Sequence, residues 1–320
     1  MTRRFALKGG FRVASVRAGG VLDVDRRLTR ARRRWIAVAL AALFLGAAVY
    51  LLAVRTRRGQ AMENAGVRGS EQVDAELHRF ALEQFHTISV SSQVAAALIV
   101  GLIALLRRQL WLSIAGVAVI FGSQAVTQVL KYHLLTRPDL GPSNGATAEN
   151  TLPSGHTTAA MSLLFAVLIV MPYRFRGIAM FFALTWAVGI GAYTVVIGAH
   201  RLSDTLAADA VALVVACGAS LFLAATGRIR AVVSPAAARY TLRTVFVTVV
   251  GVVAVACLTL GLVAALEVVS ARINERPTQW YLFLGSQWLA AAGSLAAALL
   301  FWWTWHRLET KRSGDPVRSR

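Results

Sequence analysis

Three short polar clusters interrupt an otherwise strongly apolar chain: Lys131 to Pro138, Pro153 to His156, and His200 to Asp204. Each alone has an ordinary explanation. Lys131 suits a helix end whose stem snorkels along lipid, Ser154 suits a helix cap, and His200 and Asp204, four apart, suit a local histidine–carboxylate bond. Together they form a chemically complete set. Lys131 and Arg137 offer positive charge to phosphate oxygens, the arginine bidentately and the lysine as a point charge. The backbone N–H groups around Ser154 and Gly155 open a helix, and helix N-termini accept anions. His200 is a nucleophile or base with Asp204 placed to fix its tautomer, which leaves His156 as general acid for a leaving group. Two histidines, one carboxylate, two cations and a helix start suit phosphoryl transfer through a phosphohistidine. With no metal-ligand spacing in the chain, the cations would carry the electrostatic work, and no metal or other cofactor is expected.

The elements that must position these residues are membrane helices. Of 320 residues, 57% are hydrophobic and 15% charged, with mean hydropathy +0.59; a soluble domain carries about 25% charged residues. The apolar residues fall in runs near the ~20 residues that cross a bilayer. Eight spans are expected, at roughly 35–54, 91–106, 110–130, 156–172, 178–197, 205–226, 244–266 and 281–305. The fold class is therefore an all-α integral membrane protein: a six-helix core over 35–226, two added spans over 227–306, and basic, poorly ordered tails at 1–34 and 307–320. The first run exceeds a signal-peptide core and follows 34 residues, so it reads as an anchoring span. The net charge of +19 lies in short clusters between apolar runs rather than in one stripe, which argues against nucleic acid. Cys217 and Cys257 sit inside apolar runs and read as small core residues.

Placing the N-terminus inside puts 24 of the 34 Lys and Arg residues on the cytoplasmic side, as the positive-inside rule expects. Both termini of this multi-pass chain then lie in the cytoplasm, and all three polar clusters lie together on the outer face of the cell membrane. Trp302, Trp303 and Trp305 read as an interfacial belt closing the last span. The first outer loop, 55–90, holds Val73, Leu77, Phe80 and Ala81 at helical spacing within 71–88. This predicts a short amphipathic helix on the outer surface, either a connector resting on lipid, the simpler reading, or a cap over the site.

The clusters resemble the motifs of the type 2 phosphatidic acid phosphatase superfamily, which also contains the vanadium haloperoxidases, and specifically its integral-membrane lipid phosphatase branch. The resemblance covers about 91–225 and rests chiefly on Pro153-Ser154-Gly155-His156 with the downstream His200 and Asp204. It implies that His200 attacks phosphorus, Asp204 orients it, and His156 protonates the leaving oxygen and then activates water. Lys131, Arg137, Ser154 and Gly155 would hold the phosphate of a lipid such as phosphatidic acid, phosphatidylglycerol phosphate or a polyprenyl pyrophosphate.

Two departures stand out. Lys131 and Arg137 have five residues between them where the family usually has six, and one residue turns a helix by about 100°, which implies a looser pairing. The family's Ser-Arg before the nucleophile is Tyr193-Thr194 here, so its phosphate-binding arginine is missing, and Arg201 is the nearest candidate substitute. The missing arginine motivates a rival reading, a non-catalytic scaffold or lipid transporter that keeps the fold. Asp209, inside the sixth span, is expected either to pair with Arg201 or Lys131 or to sit near the helix N-terminus for its dipole. A reporter fused after Arg320 is expected in the cytoplasm; outer exposure would move the site to the other face.

Overall fold

The computed structural model describes residues 8–140, 149–232, 237–268 and 271–311. Ten α-helices run in order among them: α1 Lys8–Val49, α2 Arg57–Ser70, α3 Ala75–His86, α4 Val90–Leu106, α5 Leu110–Val129, α6 Gly155–Val170, α7 Arg176–Val196, α8 Leu202–Ala225, α9 Ala237–Leu266 and α10 Arg276–Thr304. Each expected apolar run is helical, so the all-α membrane class holds. Six helical stretches are long and apolar enough to cross a bilayer, beginning with Arg26–Val54, and a seventh counts if α3 and α4, bent by 58°, form one span. The expected second and fourth spans are α4 and α6, of 17 and 16 residues. At ~1.5 Å per residue, α6 is only about 24 Å long. Its length is explained by its position: Thr157 to Ser162, Leu164 to Ala166 and Leu168 to Val170 are all buried. A helix enclosed by other helices has no lipid face to match to the bilayer.

Two parts of the 55–90 segment are helical where a single amphipathic stretch was expected. Thr56 caps α2 by accepting the Gly59 N–H at 3.0 Å, and Asp74 caps α3 by accepting from Glu76 and Leu77. Gly66 and Gly69 lie on the face of α2 packed against α10, while the buried Gln60 and Asn64 face the loop around Pro138 and the arginines Arg137 and Arg201. The close approach depends on Gly69, where an added Cβ would collide with the Gln279 carbonyl of α10. The C-terminal end of α2 also reaches the α7–α8 turn. Gly198 there has φ +68°, and a Cβ would lie 2.7 Å from Ser70 Oγ. Both the left-handed backbone and the crowding select glycine.

At the opposite end of α6 and α7 the chain departs from the expected basic tail. β1 (Ile229–Ala231) and β2 (Leu308–Thr310) pair antiparallel, with Arg230 Nε 3.0 Å from Glu309 Oε1. The strand order holds 308–310 in place through backbone hydrogen bonds that composition does not reveal. The tryptophan belt is corrected too: only Trp303 is exposed, whereas Trp302 and Trp305 are buried. Trp305 Nε1 donates to Ser220 Oγ at 3.1 Å, and its ring lies 5.7 Å from that of Trp35, whose Nε1 donates to Thr304 Oγ1 at 3.0 Å. These bonds satisfy two indole donors inside the bundle and so tie α1, α8 and α10 together. Cys217 and Cys257 are buried and unpaired.

The packing of α2 predicts a contrast between two glycines. Gly69→Ala should lower the unfolding temperature in detergent, at a cost of about 1–3 kcal/mol for overpacking. Gly66→Ala, whose Cβ would meet Ser286 Oγ at 3.3 Å and the Leu282 carbonyl oxygen at 3.5 Å, contacts far looser than those at Gly69, should cost much less. Equal effects would show that the α2–α10 contact is not tight.

Candidate active site

The turn between α7 and α8 carries the third cluster. The His200 N–H donates to the Thr194 carbonyl at 3.1 Å, which fixes where the turn ends. His200 Nδ1 lies 3.3 Å from Asp204 Oδ2. The same carboxylate oxygen accepts the Arg201 N–H at 2.9 Å and the Thr151 hydroxyl at 2.6 Å. Asp204 is fully buried and His200 is 7% exposed. These partners hold Nδ1 toward Asp204 and leave the other ring nitrogen for chemistry.

The second cluster is joined directly to the third. The Ser154 N–H donates to the Asp204 carbonyl at 3.0 Å. Ser154 caps α6, its Oγ accepting the Thr157 N–H at 3.3 Å, while Gln124 Nε2 anchors the Gly155 carbonyl at 2.9 Å. A Cβ on Gly155 would meet no protein atom nearer than 4.0 Å, so open space borders the start of α6. The His156 ring lies 6.3 Å from the His200 ring and stacks on Phe85 of α3 at 3.7 Å with an interplanar angle of 20°. Of the two readings of the amphipathic stretch, the structure favours the cap. Ala81 is buried beside Val195, Val196 and Phe283, and Phe80 packs edge-on to Tyr193.

The cations come from separate parts of the chain. Arg137 Nη2 and Arg201 Nε both donate to Asn64 Oδ1, each at 3.3 Å. Arg201 Nη1 also donates to Thr151 Oγ1 at 2.7 Å. Glu63 stands beside them: Oε2 is 3.8 Å from Arg137 Nη1, and Oε1 accepts the Ser203 N–H at 2.9 Å. Arg137 Nη1 is buried and makes no hydrogen bond among the described residues. Two guanidinium groups thus share one neutral acceptor, with Glu63 beside Arg137 and Asp204 also acting on it. Burial and the Arg201 charge pull the Arg137 guanidinium below its ordinary pKa range, and burial with Asp204 nearby pushes Glu63 above its ordinary 4.5.

Lys131 lies apart from this pair. Its ammonium sits 5.7 Å over the Tyr132 ring, though its charge is felt at His156. The spacing argument for the two basic residues needs correction. Leu130–Leu134 form a π-helical turn, and the chain is extended from Leu135 on. Arg137 is therefore not on the helix, and a 100° rotation has no bearing on it. Asn150 Nδ2 fastens this turn by donating to the Lys131 and Leu135 carbonyls at 3.1 and 2.9 Å.

Asp209 also departs from the expectation of an arginine or lysine partner. Both of its carboxylate oxygens accept from Ser294 Oγ, at 3.1 and 2.9 Å, on the face of α8 turned toward α10, whereas Arg201 precedes α8 on the side of α2. Thr194 is buried and spends its hydroxyl on the Gly191 carbonyl at 2.8 Å.

Residue types and spacing missed Glu63, Asn64, Thr151 and Phe85. Phe85 lay within the amphipathic stretch, so its candidacy was legible. Glu63 and Asn64 lay in a loop read as a connector; Gly59, Gly66 and Gly69, at helical spacing, were the available sign of a packed helix. Thr151 carries no sequence signal.

A polytopic helical membrane protein with a buried arginine pair beside two histidines is the class these features define. Residues 110–228 match the family model of the PAP2 superfamily. That segment runs from α5 through α8 and contains all three polar clusters, so the resemblance to a phosphatase superfamily holds there. The chain is also similar to the crystal structure of the first transmembrane PAP2 type phosphatidylglycerolphosphate phosphatase from Bacillus subtilis, with 21% identity, a TM-score of 0.46, and coverage of 59% of this chain and 95% of that one. No curated protein matches the chain.

The environment of Glu63 predicts a pH-dependent stability difference. Its folded-state pKa is raised, so its ionisation opposes folding. The cost is absent below the unfolded value, near 4.5, grows as pH rises toward the folded value, and then levels off. Glu63→Gln, which still accepts from Ser203, should therefore unfold at higher temperature than the native chain at neutral pH. The gain should vanish near pH 4; a gain independent of pH would refute the assignment.

Proposed function

We propose that this protein is a membrane lipid-phosphate phosphatase that hydrolyses a phosphomonoester or pyrophosphate through a phosphohistidine, without a metal. The observation that carries the reading is the Arg137–Arg201 pair on one amide oxygen, next to a carboxylate-held His200 that faces His156. Two adjacent guanidiniums, one with a buried donor that makes no hydrogen bond among the described residues, suit a dianionic ligand, and a phosphoryl group supplies one.

In the first step the His200 nitrogen not held by Asp204 attacks phosphorus. The bond from phosphorus to the leaving oxygen breaks, and His156 gives that oxygen its proton. In the second step His156 takes a proton from water, the water oxygen attacks phosphorus, and the P–N bond breaks to release phosphate. Arg137, Arg201 and the Ser154–Gly155 turn stabilise the charge on the non-reacting oxygens throughout, and Lys131 adds a more distant positive charge. A nucleophile approaches at about 3–3.5 Å and an acid reaches its oxygen at about 3 Å. The 6.3 Å between the ring centres suits a phosphoryl group placed between them.

Several features support a lipid substrate. The site lies at one end of a membrane bundle, and α3, which covers His156, exposes Leu77, Phe80 and Leu82. This apolar border suits an acyl or prenyl tail that stays in the bilayer. The basic-residue bias favours the outer leaflet with both termini cytoplasmic. Arg201 beside Arg137 supplies a second guanidinium although Thr194 stands where the family carries arginine, which weakens the motive for a non-catalytic scaffold or transporter.

The test is phosphate release by the purified protein in detergent containing EDTA, offered phosphatidic acid, phosphatidylglycerol phosphate and undecaprenyl pyrophosphate. Release from one of them should survive EDTA and be lost in His200→Ala. Arg201→Ala should lower kcat/KM by about 10²–10³, as removal of a transition-state donor does. A folded protein that releases nothing, or that needs a divalent metal, would overturn the reading; unchanged activity in Arg201→Ala would remove that residue from the phosphate site.

A further inference from the structure

The end of the bundle away from the candidate active site, where α6 ends and α7 begins, holds a second cluster of positive charge. A cavity of about 270 Å³ is lined there by Tyr173, Arg174, Arg176, Arg243 and Trp302 among others, with no carboxylate in its described lining. Arg176 is 2% exposed. Its Nη1 donates to the Leu308 carbonyl at 2.9 Å, but its Nε and Nη2 are buried and make no hydrogen bond among the described residues. Glu309, a carboxylate that acts on Arg176 electrostatically, is hydrogen-bonded by Arg230. A buried guanidinium with unmet donors is costly, and an anion in the cavity would offset that cost.

An apolar groove lies next to the cavity. Arg243 and Trp302 line both the cavity and this groove of about 630 Å³ between α9 and α10, whose walls include Val247, Gly251, Leu299 and Trp303. Arg243 stands at the junction, its Nη1 donating to the Tyr173 hydroxyl at 2.8 Å and its guanidinium 4.7 Å over the Trp302 ring. A charged pocket beside an apolar furrow along two membrane helices, with Arg243 and Trp302 lining both, matches one kind of molecule. We propose that this end of the bundle binds an anionic phospholipid, with its phosphate in the arginine cavity against Arg176 and Arg243 and one acyl chain in the α9–α10 groove. The two C-terminal spans then build a lipid site separate from the reaction centre, and the proposal does not depend on the chemistry there.

Native mass spectrometry of the full chain in detergent tests this, with phosphatidylglycerol, phosphatidylcholine of the same chains, and inorganic phosphate as probes. Phosphatidylglycerol should bind at least about tenfold more tightly than phosphatidylcholine, a difference of ~1.4 kcal/mol. Arg243→Gln should remove that preference. Gly251→Leu, which places a side chain into open space in the groove, should weaken phosphatidylglycerol several-fold without affecting the fold. His200→Ala should leave binding unchanged and so separate this site from the active site. Equal affinity for the two lipids would overturn the proposal, as would wild-type binding by Gly251→Leu. Full competition by inorganic phosphate together with an indifferent Gly251→Leu would identify a free-anion site instead. Should Arg243→Gln unfold, the Gly251 variant still decides.

Discussion

Two arginines side by side in a low-dielectric interior repel each other, and the rest of this structure is arranged so that Arg137 and Arg201 tolerate it. Asn64 gives both the same amide oxygen, Glu63 stands 3.8 Å from one, and Thr151 links the other to Asp204. The arrangement holds two guanidiniums in a place where buried charge is expensive, with Glu63 and Asp204 both close enough to act on Arg137.

Holding such a site demands a rigid frame. The Asp204 carboxylate is hydrogen-bonded by three groups while its own carbonyl takes the Ser154 N–H, so the carboxylate beside His200 is tied directly to the start of α6. Around that unit, α2 is wedged between the Gly198 turn and α10. α10 is therefore part of the frame around the candidate site although it contributes none of its polar clusters. It presses α2, with Glu63 and Asn64, against the arginines, and its Ser294 receives Asp209 of α8. Phe85 completes the enclosure by lying flat on His156.

The opposite end of the bundle uses arginine differently. Arg176 is ringed by aromatic groups and one carbonyl, with Trp305 at 5.2 Å and Tyr173 at 5.9 Å, and the strand pair β1–β2 closes over it. The positive-inside pattern explains why arginines are plentiful in such segments, but not why one of them is buried with donors to spare.

The linear sequence determined the membrane class, the apolar runs and the three clusters, because hydropathy and motif spacing are local properties. Pro153-Ser154-Gly155-His156 and His200 with Asp204 were legible for the same reason: a cap and an i,i+4 pair are set by a few neighbouring residues. Only the tertiary structure decided what surrounds them. Asn64 meets Arg201 across 137 residues, and Thr151 meets Asp204 across 53. No periodicity encodes such encounters, which follow from glycine-dependent packing of α2 and from the π-helical turn that redirects Arg137. Likewise, whether Thr194 leaves a gap in the phosphate site depends on where Arg201 points, and a guanidinium's direction is set by the partners that fold against it.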